Sequence, residues 1–170
     1  MTLIIIIAII VLILWHRNSN QEPKKAPLKK ITRPTINNCT TRRYNIAGIN
    51  HHCRSRDIGV IYGYVVPEPN NRYDKNALQI LHDNGKSLGY IRQIDQDDYL
   101  NFANGANLPF VGYIDTWENE EGRLQLYGKI RVYIGEPDEV AESMIEDKNY
   151  LMDIFQIVDH DMRENELHYF

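Results

Sequence analysis

A strict alternation of apolar and polar residues runs along the chain from residue 124 to residue 134. One face of this segment holds Leu124, Leu126, Gly128, Ile130, Val132 and Ile134. The other face holds Gln125, Tyr127, Lys129, Arg131 and Tyr133. Side chains of a strand alternate between its two faces, so this period of two predicts a half-buried β-strand.

Five further strands are predicted over 44–49, 58–66, 76–81, 87–91 and 108–117. The β-branched and aromatic content of 58–66 indicates a strand there. Asp83-Asn84-Gly85-Lys86 separates the third and fourth of these. Because Asn-Gly supplies the positive φ angles of a type I′ turn, this connection is predicted to be a tight hairpin.

Two helical regions are also predicted. The first covers 95–103 and ends at Asn104-Gly105. Its apolar stripe consists of Ile94, Tyr99, Phe102 and Ala103. The second is acidic and runs from Pro137 to about Met162. Its apolar positions are Met144, Ile145, Leu151, Ile154, Phe155 and Val158. The pattern therefore predicts a mainly β domain with one inserted helix and a C-terminal helical extension.

The amino terminus is a separate kind of sequence. Residues 2–15 carry no charge and would extend roughly 20 Å as a helix, against about 30 Å for a bilayer core. No Lys or Arg precedes this run, no small-residue cleavage site follows it, and Trp15 suits a membrane interface. An uncleaved anchor is favoured over a cleaved signal or a buried or interfacial hydrophobic helix.

Charge is strongly segregated along the 170 residues, whose net charge is −4. Residues 1–43 carry eight Lys/Arg and one acidic residue, whereas residues 94–170 carry five basic and 18 acidic residues. Basic residues that follow the apolar run predict a single pass through the plasma (inner) membrane with the bulk of the chain cytoplasmic. The acidic C-terminal part argues against a protein that coats long nucleic acid by charge alone.

These observations divide the chain into a transmembrane anchor (1–17), a basic Pro/Lys linker (18–43), a β-barrel domain (44–135) and an acidic helical extension (136–170). The linker lysines either lie on anionic lipid head groups or simply keep a tether solvated. Cys39 and Cys53 are too sparse for a disulfide scaffold and are expected to be free thiols. Together with His51-His52 they lack the spacing of a structural zinc site, so neither a metal nor another cofactor is expected.

The turn between the second and third strands holds the main candidate chemistry. It runs Val66-Pro67-Glu68-Pro69-Asn70-Asn71-Arg72-Tyr73-Asp74-Lys75-Asn76-Ala77-Leu78. Asn and Asp bond the nearby backbone in such turns, and exposed turns on rigid strands often hold binding residues. Tyr73 can stack on a base, and Asp74 can accept a hydrogen bond from a hydroxyl. Alternatively, Asp74 only caps the turn for Asn76 and Tyr73 packs on the barrel.

This turn, followed by Gly85-Lys86-Ser87-Leu88-Gly89-Tyr90-Ile91 and preceded by Tyr44-Asn45-Ile46-Ala47-Gly48-Ile49, resembles the signature of the HIRAN domain. That family occurs alone in bacteria and fused to helicases and Swi/Snf-class ATPases in eukaryotes. The resemblance implies a small six-stranded OB/SH3-like barrel in a bacterial protein of DNA repair. It also implies binding of single-stranded DNA, with a grip on a 3′-hydroxyl end. No phosphate-loop motif is present, so any helicase or ATPase would be a separate partner.

The resemblance also implies site residues beyond Tyr73 and Asp74. Family members carry an Arg-aromatic pair where this chain has Asn50-His51, so His51 keeps a flat ring while Asn50 replaces the cation. Tyr90 stands where some relatives carry a His. Arg72 and Lys75 complete the predicted set of seven.

The favoured interpretation is a membrane-tethered module, not an enzyme, that binds single-stranded DNA at 3′-hydroxyl ends. The first alternative is a protein-interaction module that has kept the fold and uses its acidic C-terminal part as a docking surface. A metal-dependent hydrolase is a more remote alternative.

Overall fold

The computed structural model describes residues 39–157 and 160–170. Within them the chain forms six strands and four helices. The strands are β1 (Thr40–Ala47), β2 (Gly59–Pro67), β3 (Leu78–His82), β4 (Ser87–Ile91), β5 (Leu108–Glu118) and β6 (Leu124–Ile134). The helices are α1 (Ile49–His52), α2 (Gln96–Ala103), α3 (Pro137–Ile154) and α4 (His160–Leu167). Single 3₁₀ turns occupy Ser55–Asp57 and Gln93–Asp95.

The six strands close into an antiparallel barrel in the order β1-β4-β3-β2-β5-β6. The longest pairing joins β5 to β6, from Phe110 opposite Val132 to Glu118 opposite Leu124. Apolar residues that are 0% exposed fill the interior: Val65, Ile80, Phe110, Ile114, Ile130 and Val132. The prediction of a mainly β, six-stranded barrel with an inserted helix and helices after it is therefore confirmed.

Strand β1 meets β4 over only two residue pairs, Ile46 with Ile91 and Ala47 with Tyr90. Gly89 lies at this joint with φ +138°, and a Cβ there would stand 2.4 Å from the carbonyl oxygen of Ala47. No side chain fits so close to a neighbouring backbone, so a glycine is required here.

The prediction that β6 is half-buried is wrong for its second half. Arg131 and Tyr133 lie on the predicted polar face, yet they are 4% and 1% exposed. Helix α3 covers this face, because Leu151 and Ile154 pack with Tyr113 and Tyr133 in a second apolar cluster outside the barrel. Asp147 of α3 is fully buried and forms an ion pair with Arg131.

Several predicted boundaries also differ. Strand β1 begins at Thr40, so residues 40–43 of the predicted linker belong to the barrel. It ends at Ala47, and Gly48, with φ +71°, leads into α1. His51 and His52 therefore lie on α1, beyond the end of the strand.

Three further details of the prediction need correction. Of the residues in the β3–β4 turn only Gly85 has positive φ, whereas a type I′ turn needs two consecutive residues with positive φ. Ile94 and Ile145 are 83% and 60% exposed and belong to no apolar stripe. The acidic helical region is divided into α3 and α4.

The predicted anchor at 2–15 and most of the predicted linker lie outside the described residues, as does Val158. Among residues 39–157 and 160–170, no helix combines the length and apolar character needed to cross a bilayer. Cys39 and Cys53 are free thiols, as expected.

Candidate nucleic-acid interface

An open cleft of about 630 Å³ lies beside the joint between β1 and β4. Its walls come from α1, from the loop between β2 and β3, from β4 and from the start of α2. The lining residues are Gly48, His51, His52, Glu68, Asn70, Asn71, Arg72, Tyr73, Asp74, Ala77, Tyr90, Ile91, Gln93 and Gln96.

The β2–β3 loop, residues 68–77, is held in shape by its own hydrogen bonds. Its ends are joined because the Glu68 N–H donates to the carbonyl oxygen of Ala77 at 2.8 Å. Asn71 Oδ1 accepts from the backbone N–H groups of Tyr73 and Asp74, at 3.0 and 3.2 Å. Asn71 Nδ2 in turn donates to the Glu68 carboxylate at 2.7 Å. The Asn-rich composition thus produces a pre-formed loop rather than a flexible one.

This loop presents Tyr73 almost entirely to solvent. The residue is 95% exposed, and its side chain has no hydrogen bond or ring contact within the part of the chain described. The alternative in which Tyr73 packs on the barrel is therefore wrong. An aromatic ring held out on a fixed loop at the rim of a cleft is available for stacking.

Asp74 follows Tyr73 and is half-buried. Its Oδ1 accepts from the N–H of Asn76 at 2.9 Å, so the predicted turn cap is present. Its Oδ2 accepts from Gln96 Nε2 at 2.7 Å, and Gln96 is only 7% exposed. Each carboxylate oxygen can accept a second hydrogen bond, so the cap does not remove the capacity to bind a hydroxyl group.

The opposite wall holds the two histidines of α1. The ring of His52 lies edge-to-face with that of Tyr90, with centroids 5.6 Å apart. Burial lowers the pKa of His52, the nearby His51 lowers it further, and Glu68 opposes this. Burial, followed by a hydrogen bond with Glu68, raises the pKa of the Tyr90 phenol, so Tyr90 stays a neutral donor.

Five of the seven predicted site residues line the cleft: His51, Arg72, Tyr73, Asp74 and Tyr90. The other two, Asn50 and Lys75, are not among its lining residues. Asn50 instead joins α1 to β6, because its Oδ1 accepts from the Leu126 N–H and its Nδ2 donates to Gln125 Oε1, both at 3.3 Å. Lys75 is exposed on the loop.

Sequence reasoning missed the contributions of His52, Glu68 and Gln96. In the sequence, His52 stands out only as a possible metal ligand, and Glu68 lies in the turn without an assigned role. The one available signal for Gln96 was a polar side chain in the first turn of a helix that packs on the barrel. In residues 39–157 and 160–170, no three His, Cys, Asp or Glu side chains cluster to hold a metal ion.

Comparisons with known proteins add little to this picture. No family model matches the chain, and no curated protein matches it. Among solved structures, the chain is similar to the crystal structure of the HIRAN domain of human HLTF. The identity is 16% and the TM-score 0.34, over 66% of this chain and 91% of that one. A similarity of this size is no evidence for a shared ligand, so the ligand must be inferred from the residues of the cleft.

Proposed function

We propose that the cleft binds single-stranded DNA and recognises a free 3′-hydroxyl end, and that the protein is a binding module rather than an enzyme. The observation that supports this most is the pairing of an exposed ring, Tyr73, with a held carboxylate, Asp74, on one pre-formed loop.

Tyr73 supplies a platform on which a base stacks. Stacking of one base on an aromatic side chain contributes about 1–3 kcal/mol and tolerates any base. Because Asn71 already fixes the backbone of Tyr73 and Asp74, little entropy is lost when the loop binds a ligand.

Asp74 supplies selectivity for the end of the strand. A carboxylate accepts a hydrogen bond from a 3′-hydroxyl but repels the negative charge of a 3′-phosphate. Gln96 and Asn76 hold the two oxygens in place, so the acceptor is oriented before DNA arrives.

Arg72 supplies the cation for a phosphate group. It lines the cleft, and its guanidinium has no hydrogen bond or ion pair within the described residues. With so few cations, binding is expected to be modest and to depend only weakly on salt, because each neutralised phosphate adds about 0.7 to the slope of log K against log salt concentration.

The test uses the full chain in a non-ionic detergent, which keeps residues 2–15 in solution. Fluorescence anisotropy compares a short single strand ending in a 3′-hydroxyl with the same strand ending in a 3′-phosphate. We expect tighter binding to the hydroxyl end. Tyr73→Ala should weaken binding by about 5- to 150-fold, the equivalent of one stacked base. Asp74→Asn should remove the preference between the two ends.

Tyr64→Ala is the matched control, because Tyr64 is also exposed (54%) but lies on β2 away from the lining residues. It should bind like the wild type. If Tyr73→Ala and Asp74→Asn bind both strands as the wild type does, the assigned site is wrong.

A protein-interaction module is the second candidate. Helix α3 exposes Ile145 (60%) and Met152 (48%) beside the acidic residues Glu142 and Glu146, which is a surface for a basic, partly apolar partner. A folded chain that binds neither strand would favour this candidate.

We also propose that residues 2–15 anchor the protein in the plasma membrane, with the barrel on the cytoplasmic side. Support comes from the uncharged run and from the basic residues that follow it. Extraction of membranes with alkaline carbonate tests this, since an anchored chain stays in the membrane fraction. A cleaved or peripheral chain would be released.

A further inference from the structure

Two neighbouring histidines form one wall of a cleft that otherwise has few charges. We propose that protonation of His51 and His52 changes the net charge of this cleft from negative to positive and makes nucleic-acid binding tighter at mildly acidic pH. The inference rests on the proposed function, because it concerns the regulation of the same site.

The lining residues set the sign of the charge. When both imidazoles are neutral, the charged lining residues are Arg72, Glu68 and Asp74, which carry one positive and two negative charges. When both imidazoles are protonated, the lining carries three positive and two negative charges. Histidine is the side chain that ordinarily changes its charge between pH 5 and 8.

The histidines are placed where a ligand can reach them. His51 is exposed, and His52 is half-buried with its ring against Tyr90. Tyr73 and Arg72 stand on the facing loop of the same cleft. In this proposal, a DNA strand stacked on Tyr73 would pass its phosphates along α1, where a protonated imidazole can form a charge-assisted hydrogen bond.

The other charged groups around α1 do not compensate for this change. On the α1 side, the Arg54 guanidinium donates to the carbonyl oxygens of Asn50 and Cys53, at 3.2 and 2.8 Å. Lys86, which precedes β4, pairs with Asp57 at 2.5 Å. On β4 itself, Tyr90 is the titratable residue that faces the histidines. None of these side chains normally titrates between pH 5 and 8.

Strand β6 also packs on α1, and its charges lie elsewhere. Arg123 pairs with Glu121 at 3.0 Å. Gly128 faces Ile49 of α1, so Lys129, the next residue on the strand, points to the opposite face. Burial and the proximity of His51 lower the pKa of His52, so its proton is gained towards the acidic end of the range.

The salt dependence of binding gives a quantitative signature. For single strands, each neutralised phosphate adds about 0.7 to the slope of log K against log salt concentration. Each histidine that is protonated and meets a phosphate should therefore steepen the slope by about 0.7, so the two together add at most about 1.4 between pH 8.0 and pH 5.5. The ratio of the affinities at the two pH values should therefore grow by up to about 25-fold for each tenfold decrease in salt concentration.

The experiment measures anisotropy of the full chain in detergent with a 3′-hydroxyl strand at pH 8.0 and 5.5, over a series of salt concentrations. The 3′-phosphate strand is avoided here, because its own second ionisation lies near pH 6. The test variant is His51→Gln/His52→Gln, and His82→Gln is the matched control, since His82 contacts Tyr62 away from the cleft. Circular dichroism at both pH values shows that each variant stays folded.

We expect the pH-dependent rise in affinity and slope in the wild type and in His82→Gln, and its loss in the double variant. Calorimetry in two buffers of different ionisation enthalpy should show that the wild type takes up protons when it binds DNA. The double variant should take up none. Binding that is equal at both pH values, or a pH dependence that survives in the double variant, overturns the inference and leaves the proposed function intact. If the protein binds no DNA at pH 8.0 and none at pH 5.5, both the inference and the proposed function are overturned.

Discussion

Replacement of Asp147 by Asn tests how the C-terminal extension is attached to the barrel. The Asp147 carboxylate is completely buried, and Arg131 Nη1 donates to its two oxygens at 2.7 and 2.6 Å. The Tyr133 hydroxyl also donates to Oδ2. The rest of the Arg131 side chain is held by Phe170, whose backbone oxygen accepts from Nη2 at 2.7 Å and whose ring lies 4.4 Å from the guanidinium carbon.

Asp147→Asn keeps the shape of the side chain and removes its charge. Arg131, which is 4% exposed, then loses the carboxylate with which it forms its buried ion pair. Removing one partner of a buried ion pair costs about 3–5 kcal/mol, far more than the pair contributes relative to two apolar residues. We therefore expect the free energy of unfolding to fall by about 3–5 kcal/mol.

Guanidinium unfolding of the full chain, followed by far-UV circular dichroism, measures this loss. With a denaturant slope of about 4 kcal/mol per molar, the midpoint should fall by about 1 M. Glu146→Gln is the matched control, because it makes the same acid-to-amide change at an exposed neighbour on α3 and should alter stability by less than about 0.5 kcal/mol.

A double replacement, Arg131→Met with Asp147→Leu, separates charge from packing. It should be markedly more stable than Asp147→Asn, since it leaves no buried charge unpaired. The reasoning is refuted if Asp147→Asn lies within 1 kcal/mol of the wild type, or if the double replacement is the least stable of the variants.

Three further outcomes are expected. Gln96→Leu removes the donor to Asp74 Oδ2 and should weaken binding to a 3′-hydroxyl end, measured by anisotropy, by about 2- to 10-fold, the contribution of one hydrogen bond. An unchanged affinity would mean that Gln96 does not position Asp74. The pKa values of Tyr99 and of Tyr127 are raised to about 12, and burial is the largest cause. Because the folded state then holds protons that the unfolded state loses above about pH 10, stability should fall from pH 10 to 12, with tyrosinate absorbance and unfolding rising together. Gly89→Ala should lower stability by about 2 kcal/mol or more in thermal unfolding, and a smaller loss would mean that the neighbouring backbone gives way.

Much of the barrel could be predicted because its strands carry their own signal. The period of two in β6 and the β-branched content of β2 indicated strands, and both are present. The start of β1 was missed because Thr40 to Arg43 are polar and mostly exposed. Their place in the barrel comes from pairing with β6, a long-range contact that no local pattern records.

The same limit explains the errors on β6 and in the cleft. The alternating pattern predicts that Arg131 faces solvent. In the structure it is buried against Asp147, which lies sixteen residues later in the sequence. Tyr73 and Asp74 could be predicted because turn chemistry is local, and Asn71 does bond their backbone. The role of Gln96 could not be predicted, because Gln96 lies 22 residues from Asp74 in the sequence.

The short joint between β1 and β4 has a consequence for the motion of the barrel. Only two residue pairs hold it, whereas β1 meets β6 over six, so this joint is where the barrel should open most readily and exchange its amide hydrogens fastest. Gly48 and Tyr90, which line the cleft, stand on its two sides. A DNA strand that lies across the cleft would thus keep the joint closed. Its binding should then slow the exchange of amide hydrogens along β1 and β4.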